Sequence, residues 1–271
     1  MEHHDTIFTQ FLNHWLGEYV ARALAALGIA GVDPHHAIPD SVVMSAIVVL
    51  VGMVLAVILK RRLSVDRPGA FQQICEFLLT NPIRFGIRDV LQDNVGHDAP
   101  KYLAMVGTVG IFILLANAIS VIPVFNAPTA TVTVPLGCAL LTYFYFNAAG
   151  IRKHGLLKYL AHFAGPSPAV AWLIFPVEII SVTARILSLT VRLWANIFAS
   201  ELIYFIFLGM LILPTQFAWS KLPVVGAIVG LFPATIPIAF VGLHLFVAVV
   251  QAFVFTLLPA VYLGMATADE H

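Results

Sequence analysis

Residues 177–213 read VEIISVTARILSLTVRLWANIFASELIYFIFLGMLIL, a run without proline in which two arginines, Arg185 and Arg192, sit among apolar side chains. As one helix at about 1.5 Å per residue it would be roughly 55 Å long. The hydrocarbon core of a bilayer is only about 30 Å thick, so such a helix has to lie strongly tilted or push apolar surface into water. The composition makes lipid the solvent. Of 271 residues, 60% are hydrophobic and 10% charged, too little polar surface for a water-soluble globule of this size. Apolar stretches at 41–59, 102–125, 129–149 and 224–266 join 172–213 as segments long enough to span a membrane.

The expected class is therefore all-α: a polytopic membrane protein with upright spanning helices, an interfacial cytoplasmic helix, and two long tilted antiparallel helices. Residues 1–40 read as an outer-face segment with a short amphipathic helix around 7–27, ended by Gly28, Gly31 and Pro34. Residues 41–271 read as a single membrane domain. Between the first two spans, Phe71, Ile74, Leu78, Ile83, Ile87 and Leu91 recur at helical intervals among Gln, Glu and Arg, which suits an interfacial helix over about 69–91, interrupted near Asn81 and Pro82. The second and third spans form a hairpin through 123–128. A loop is expected at 214–223, and kinks in the fifth segment at Pro233, Pro237 and Pro259. No internal repeat is visible.

Ten of the 14 basic residues, Lys60, Arg61, Arg62, Arg67, Arg84, Arg88, Lys101, Arg152, Lys153 and Lys158, fall in two loops. The positive-inside rule makes those loops cytoplasmic, with the N-terminus outside and the C-terminus inside. Glu2 and Asp5 stand where a secretory signal would be basic, so no cleavable leader is expected. A formal net charge of zero argues against nucleic acid. Cys75 and Cys138 offer no disulfide framework, and the early histidines, including His3, His4, His35 and His36, lack an acid or cysteine to complete a metal site. Neither metal nor cofactor is expected.

Taking 100° per residue and Arg192 as zero, Arg185 falls at about 20°, Ser181 at about −20°, Ser188 at about −40°, and Glu178 and Asn196 at about 40°. Glu201 lies on the opposite face and about 13 Å along the axis, out of reach of Arg192. In the fifth segment His244 and Gln251 are seven residues apart and so share a face; a Glu201–His244 contact is the economical pairing. A mid-membrane arginine costs about 2.5–3.5 kcal/mol on insertion scales and stays charged at physiological pH. Asn196 and Ser188 supply no negative charge, so Arg192 needs an anion from elsewhere. For Arg185 an ion pair with Glu178 is as good a reading as a transport role, and for His244 and Gln251 helix packing competes with function.

The stretches LTVRLWANIFASEL at 189–202 and HLFVAVVQAFVF at 244–255 closely resemble subunit a of bacterial F-type ATP synthases. The resemblance extends to TATVTV at 129–134 and to YLGMA at 262–266 before an acidic tail, and so covers the chain from about residue 102 onward. Members of that family often carry phenylalanine and glycine at the positions of Trp194 and Ala195, and some carry an acid at that of Ser120, three residues after Asn117. The resemblance implies a non-catalytic stator subunit that conducts protons, with Arg192 as the essential arginine facing a rotating ring of c subunits whose carboxylate supplies the missing anion. It implies two offset half-channels: Asn196, Glu201, His244 and Gln251 on the outer one, Gln251 also as a residue that positions the arginine, and Glu178 and Ser188 on the cytoplasmic one. Peripheral-stalk b subunits and a bacterial inner membrane follow from the same likeness.

The rival reading from the residues is a secondary ion-coupled transporter, which would bring internal repeats and Gly/Pro-broken helices around the charged site; neither surrounds Arg192. A membrane enzyme would bring a catalytic or Walker motif, and no HExxH, GxSxG or Walker pattern is present, so no ATP site is expected in this chain.

Overall fold

The computed structural model describes residues 6–29, 31–122, 125–163, 171–221 and 223–268. These residues form α-helices joined by loops and short 3-10 turns, with no strand among them. The helices are α1 (Ile7–Ala26), α2 (Asp40–Arg62), α3 (Ala70–Leu79), α4 (Ile87–Val95), α5 (Ala99–Ala118), α6 (Thr133–His154), α7 (Leu156–Phe163), α8 (Ala171–Lys221) and α9 (Pro223–Thr267). Among the described residues, five segments are long and apolar enough to cross a bilayer: Pro34–Arg62, Ile87–Val121, Thr133–His154, Trp172–Ile203 and Ala239–Thr267. The acidic tail beyond residue 268 and the proline of the expected hairpin at 123 lie outside the described residues.

One sequence expectation is corrected. The stretch from 214 to 221, expected as a loop, is helical, and α8 runs 51 residues before Pro223 opens α9. A proline inside a helix forfeits one backbone donor without obliging the chain to leave the helix. In an apolar environment, staying helical keeps the other backbone groups paired. Proline at the first helical position loses nothing, because that N–H has no intrahelical partner. The chain therefore reverses at Pro223 and not at Pro214. With α9 at 45 residues, both helices far outrun the thickness of a hydrocarbon core.

The outer surface is what lipid demands. On α2, Val49, Leu50, Met53, Val54 and Val57 are exposed, while Val43, Met44 and Val48 are buried. The helix α1 hides Thr9, Asn13 and Gly17 and turns Phe11, Trp15 and Tyr19 outward. Its polar groups are used to hold it. The Asp40 carboxylate, in the first turn of α2, accepts from the Thr9 hydroxyl at 2.6 Å and from the Asn126 amide at 3.0 Å, and Asn13 bonds the backbone N–H and carbonyl of Ile38 at 2.9 and 3.1 Å. A carboxylate there also meets the positive end of the helix dipole. Between α3 and α4 the Asn81 side chain accepts from the Phe85 N–H, and Arg84, with φ of 61°, pairs with Asp93.

Inside, Ile113 of α5, Leu189, Leu193 and Ile197 of α8, and Phe255 of α9 make one apolar cluster. Leu91 of α4, Val106 of α5, Phe146 of α6, Val182 of α8 and Leu263 of α9 make a second. Both clusters grip α8 and α9, the two elements that carry the polar residues. In lipid, apolar side chains gain little by leaving the surrounding tails, so close packing and polar contacts hold helices together. Gly264 is one point of such packing: a Cβ there would stand 2.4 Å from the Asn94 carbonyl oxygen. Backbone cannot yield as a side-chain tip can. Gly264→Ala should lower the stability of the folded chain in detergent by about 1–3 kcal/mol, the cost of overpacking, read as a drop in thermal midpoint; an unchanged midpoint would mean that α4 and α9 do not meet as described.

Candidate functional site

Arg192 lies on α8 with its side chain exposed. Its Nη2 donates to Ser188 Oγ at 3.4 Å, one turn earlier, and among the described residues no carboxylate pairs with it. Its backbone carbonyl accepts from Gln251 Nε2 of α9 at 2.9 Å, and Gln251 is only 2% exposed. A buried amide bonded to the backbone at this residue fixes where the arginine stands without drawing on its charge.

Arg185, two turns away, is handled differently. Its guanidinium is 3.8 Å from Glu178 and lies 4.8 Å over the centre of the Tyr262 ring. An anion and an aromatic face compensate it within the chain. The ion-pair reading of Arg185 fits this geometry, and it also engages Glu178 away from Arg192.

His244 occupies a junction of three elements. Its Nε2 is 2.9 Å from Ser120 Oγ and 3.1 Å from the Asn117 carbonyl oxygen at the end of α5, and its Nδ1 is 3.1 Å from Ser200 Oγ of α8. The expected Glu201–His244 contact is absent: Glu201 is partly buried and has no hydrogen-bond or ion-pair partner among the described residues. Successive residues on a helix point about 100° apart, so only one of Ser200 and Glu201 can face α9 at this level, and it is Ser200. Asn117 is fully buried; its Oδ1 accepts from the Thr129 hydroxyl, while its Nδ2 has no partner among the described residues. The two α8–α9 contacts, 192 with 251 and 200 with 244, rise on one helix as they fall on the other, which sets the pair antiparallel.

An open groove between α8 and α9 is lined by Asn196, Ser200 and Gln251 together with Phe240, Phe246 and Val250. Of the residues singled out in the sequence, Arg192, Ser188, Asn196, His244 and Gln251 thus converge on the α8–α9 seam and its edge. Glu178 pairs with Arg185, and Glu201 stands apart on the other side of α8.

The family profile described as ATP synthase A chain matches residues 42–264. Over 249 residues the chain is 41% identical to ATP synthase subunit a of Solibacter usitatus, covering 91% of this chain and 95% of that one. Its identity to ATP synthase subunit a of Koribacter versatilis is 36% over 268 residues, 99% of each chain. With the Campylobacter curvus subunit it is 37% over 207 residues, 75% of this chain and 80% of that one.

The chain belongs to the ATP synthase A chain family.

In this member of the ATP synthase A chain family, the matched region takes in α2 to α9 almost whole and with them every polar residue just described; α1 precedes it. Ser200, Asn117 and Thr129 belong to the polar junction around His244, and the reading by helical stripe left them out. Ser200 is four residues beyond Asn196, at about 80° from Arg192, and a wider stripe would have included it. Asn117 and Thr129 come from other elements, where no periodicity points to them.

The double substitution Arg185→Gln with Tyr262→Leu tests the handling of Arg185. A thermal-unfolding cycle should return a coupling of about 0.5–1 kcal/mol, the worth of a cation over an aromatic face; zero coupling would remove Tyr262 from its compensation.

Proposed function

We propose that the chain is the proton-translocating stator subunit of an F-type ATP synthase, non-catalytic itself, seated as a multi-pass protein in a bacterial inner membrane. Its N-terminus lies outside and its C-terminus in the cytoplasm. The observation that carries this reading is Arg192, an exposed guanidinium on an apolar helix with no carboxylate paired to it among the described residues. An isolated charge at membrane depth is costly, and a carboxylate carried past on a rotating ring of c subunits meets that cost.

The mechanism follows from elementary electrostatics. A guanidinium close by favours the ionised form of a carboxylate, so a protonated ring site arriving at Arg192 releases its proton into one half-channel. Having passed, it is reloaded from the other. Guanidinium does not give up its own proton, and its fixed charge repels protons, so Arg192 also blocks a direct leak between the two paths. Asn196, Glu201, His244 and Gln251 serve the outer half-channel, Gln251 by holding the Arg192 backbone through the bond to its carbonyl. Glu178 and Ser188 serve the cytoplasmic one. His244, a side chain able to take up and release a proton, favours protons over sodium as the coupling ion. Each proton crossing supplies about 2.3 kcal/mol per 100 mV of membrane potential, delivered as rotation to the distant catalytic head.

The length of α8 and α9 supports the same reading. At about 1.5 Å per residue they extend to roughly 75 and 70 Å, more than twice an upright span, so in a bilayer the pair lies inclined. Inclined and antiparallel, they present a broad wall to a ring of helices. Peripheral-stalk b subunits hold that wall still.

The test is ATP-driven proton pumping by the assembled complex in inverted vesicles. Arg192→Ala should abolish pumping while the head continues to hydrolyse ATP, and Arg192→Lys should be abolished or badly impaired, because lysine carries a removable proton and lacks the planar fork. Normal pumping by Arg192→Ala would falsify the reading.

A further inference from the structure

His244 is held by groups of unequal chemistry on its two ring nitrogens, and that inequality assigns its proton. On the Nε2 side stands the Asn117 carbonyl oxygen at 3.1 Å, which can only accept. Ser120 Oγ, 2.9 Å from Nε2, donates its own hydrogen to the same carbonyl at 2.9 Å, so its oxygen too is left to accept. A bare Nε2 would set its lone pair against both oxygens. In the neutral ring the hydrogen therefore sits on Nε2, and Nδ1 is the basic nitrogen. The one group on Nδ1 among the described residues is the Ser200 hydroxyl at 3.1 Å, and Ser200 also lines the α8–α9 groove beside Asn196, one turn from Arg192.

We propose that Ser200 is the proton-carrying link between this groove and His244, and that His244 loads and unloads at Nδ1 alone, as a station beside the path and not a wire through the ring. The proposal deepens the function argued above and rests on it. The step balances within the residues present. A proton arriving from the groove bonds to the Ser200 oxygen as the hydroxyl's own hydrogen passes to Nδ1; the imidazolium keeps Nε2–H on Asn117, and the reverse transfer returns the proton to the groove. Asn117 cannot relay, since an amide carbonyl holds no transferable proton, and Ser120 is committed to that carbonyl. The exit on the Nε2 side is thereby closed.

The experiment uses the assembled complex in inverted vesicles, with Arg192→Ala as a control. Ser200→Ala should lower ATP-driven pumping about tenfold or more, the scale on which a placed proton-transfer group acts. Ser200→Thr, which keeps the hydroxyl, should stay within about twofold of the wild type, and Ser120→Ala should cost less than Ser200→Ala. Histidine nitrogen NMR on the complex, taken as the difference from His244→Gln, should show the Nε2–H form in the neutral ring. Unimpaired pumping by Ser200→Ala, failure of Ser200→Thr in an assembled complex, a larger loss for Ser120→Ala, or an Nδ1–H ring would each overturn the proposal. The NMR arm decides even where Ser200→Ala fails to assemble. If Arg192→Ala itself pumps, it is the function that fails; if Arg192→Ala is dead and Ser200→Ala is unimpaired, only the role of Ser200 fails.

Discussion

A fixed positive charge on an apolar helix is costly without a partner, and the two arginines of α8 are treated in opposite ways. Arg185 is drawn inward by Glu178 and the face of Tyr262. Arg192 is left exposed, with a serine hydroxyl at 3.4 Å and no carboxylate among the described residues. The residues are chemically identical and two turns apart, so the difference lies in what the surrounding chain supplies. A glutamate seven residues before Arg185 falls on its own stripe, whereas the polar neighbours of Arg192 are uncharged. Among the described residues the charge of Arg192 is left without an anion.

Lipid imposes the second condition. A polar group that faces the hydrocarbon without a partner is costly, so the hydrogen-bonding side chains collect where helices meet. Gln251 holds the backbone of Arg192, the hydroxyls of Thr190 and Thr256 bond to backbone carbonyls of their own helices, and Asn13 and Asp40 pin α1 to the start of α2. The contacts of Arg192 with Gln251 and of Ser200 with His244 then set the antiparallel register of the long helices. Charge placement and helix register are settled by the same few side chains, and a slip by one residue would move Gln251 and His244 off their partners together.

His244 shows how much this packing adds. Its ring is touched from the end of α5 on one nitrogen and from α8 on the other, so α9, α8 and the α5 turn meet at a single side chain. A histidine on an isolated helix is free to carry its proton on either nitrogen. The carbonyl of Asn117, which can only accept, favours the hydrogen on Nε2.

Much was legible in the chain of residues, because hydropathy and helical periodicity are local properties. Five spans, the long helix through Arg192, the shared face of His244 and Gln251, and the lack of an anion within a turn of Arg192 on its own helix all follow from counting along one helix at a time. Family membership was legible too, in the stretches around Arg192 and His244. The continuation of α8 past Pro214, the burial of polar residues on α1, the choice of Ser200 over Glu201 as the partner of His244, and the meeting of Asn117 with Thr129 were not. Each depends on which face of one helix lies against another. Rotation about a helix axis and the register between neighbours are set by side chains far apart in sequence, and only the packed structure brings those side chains together.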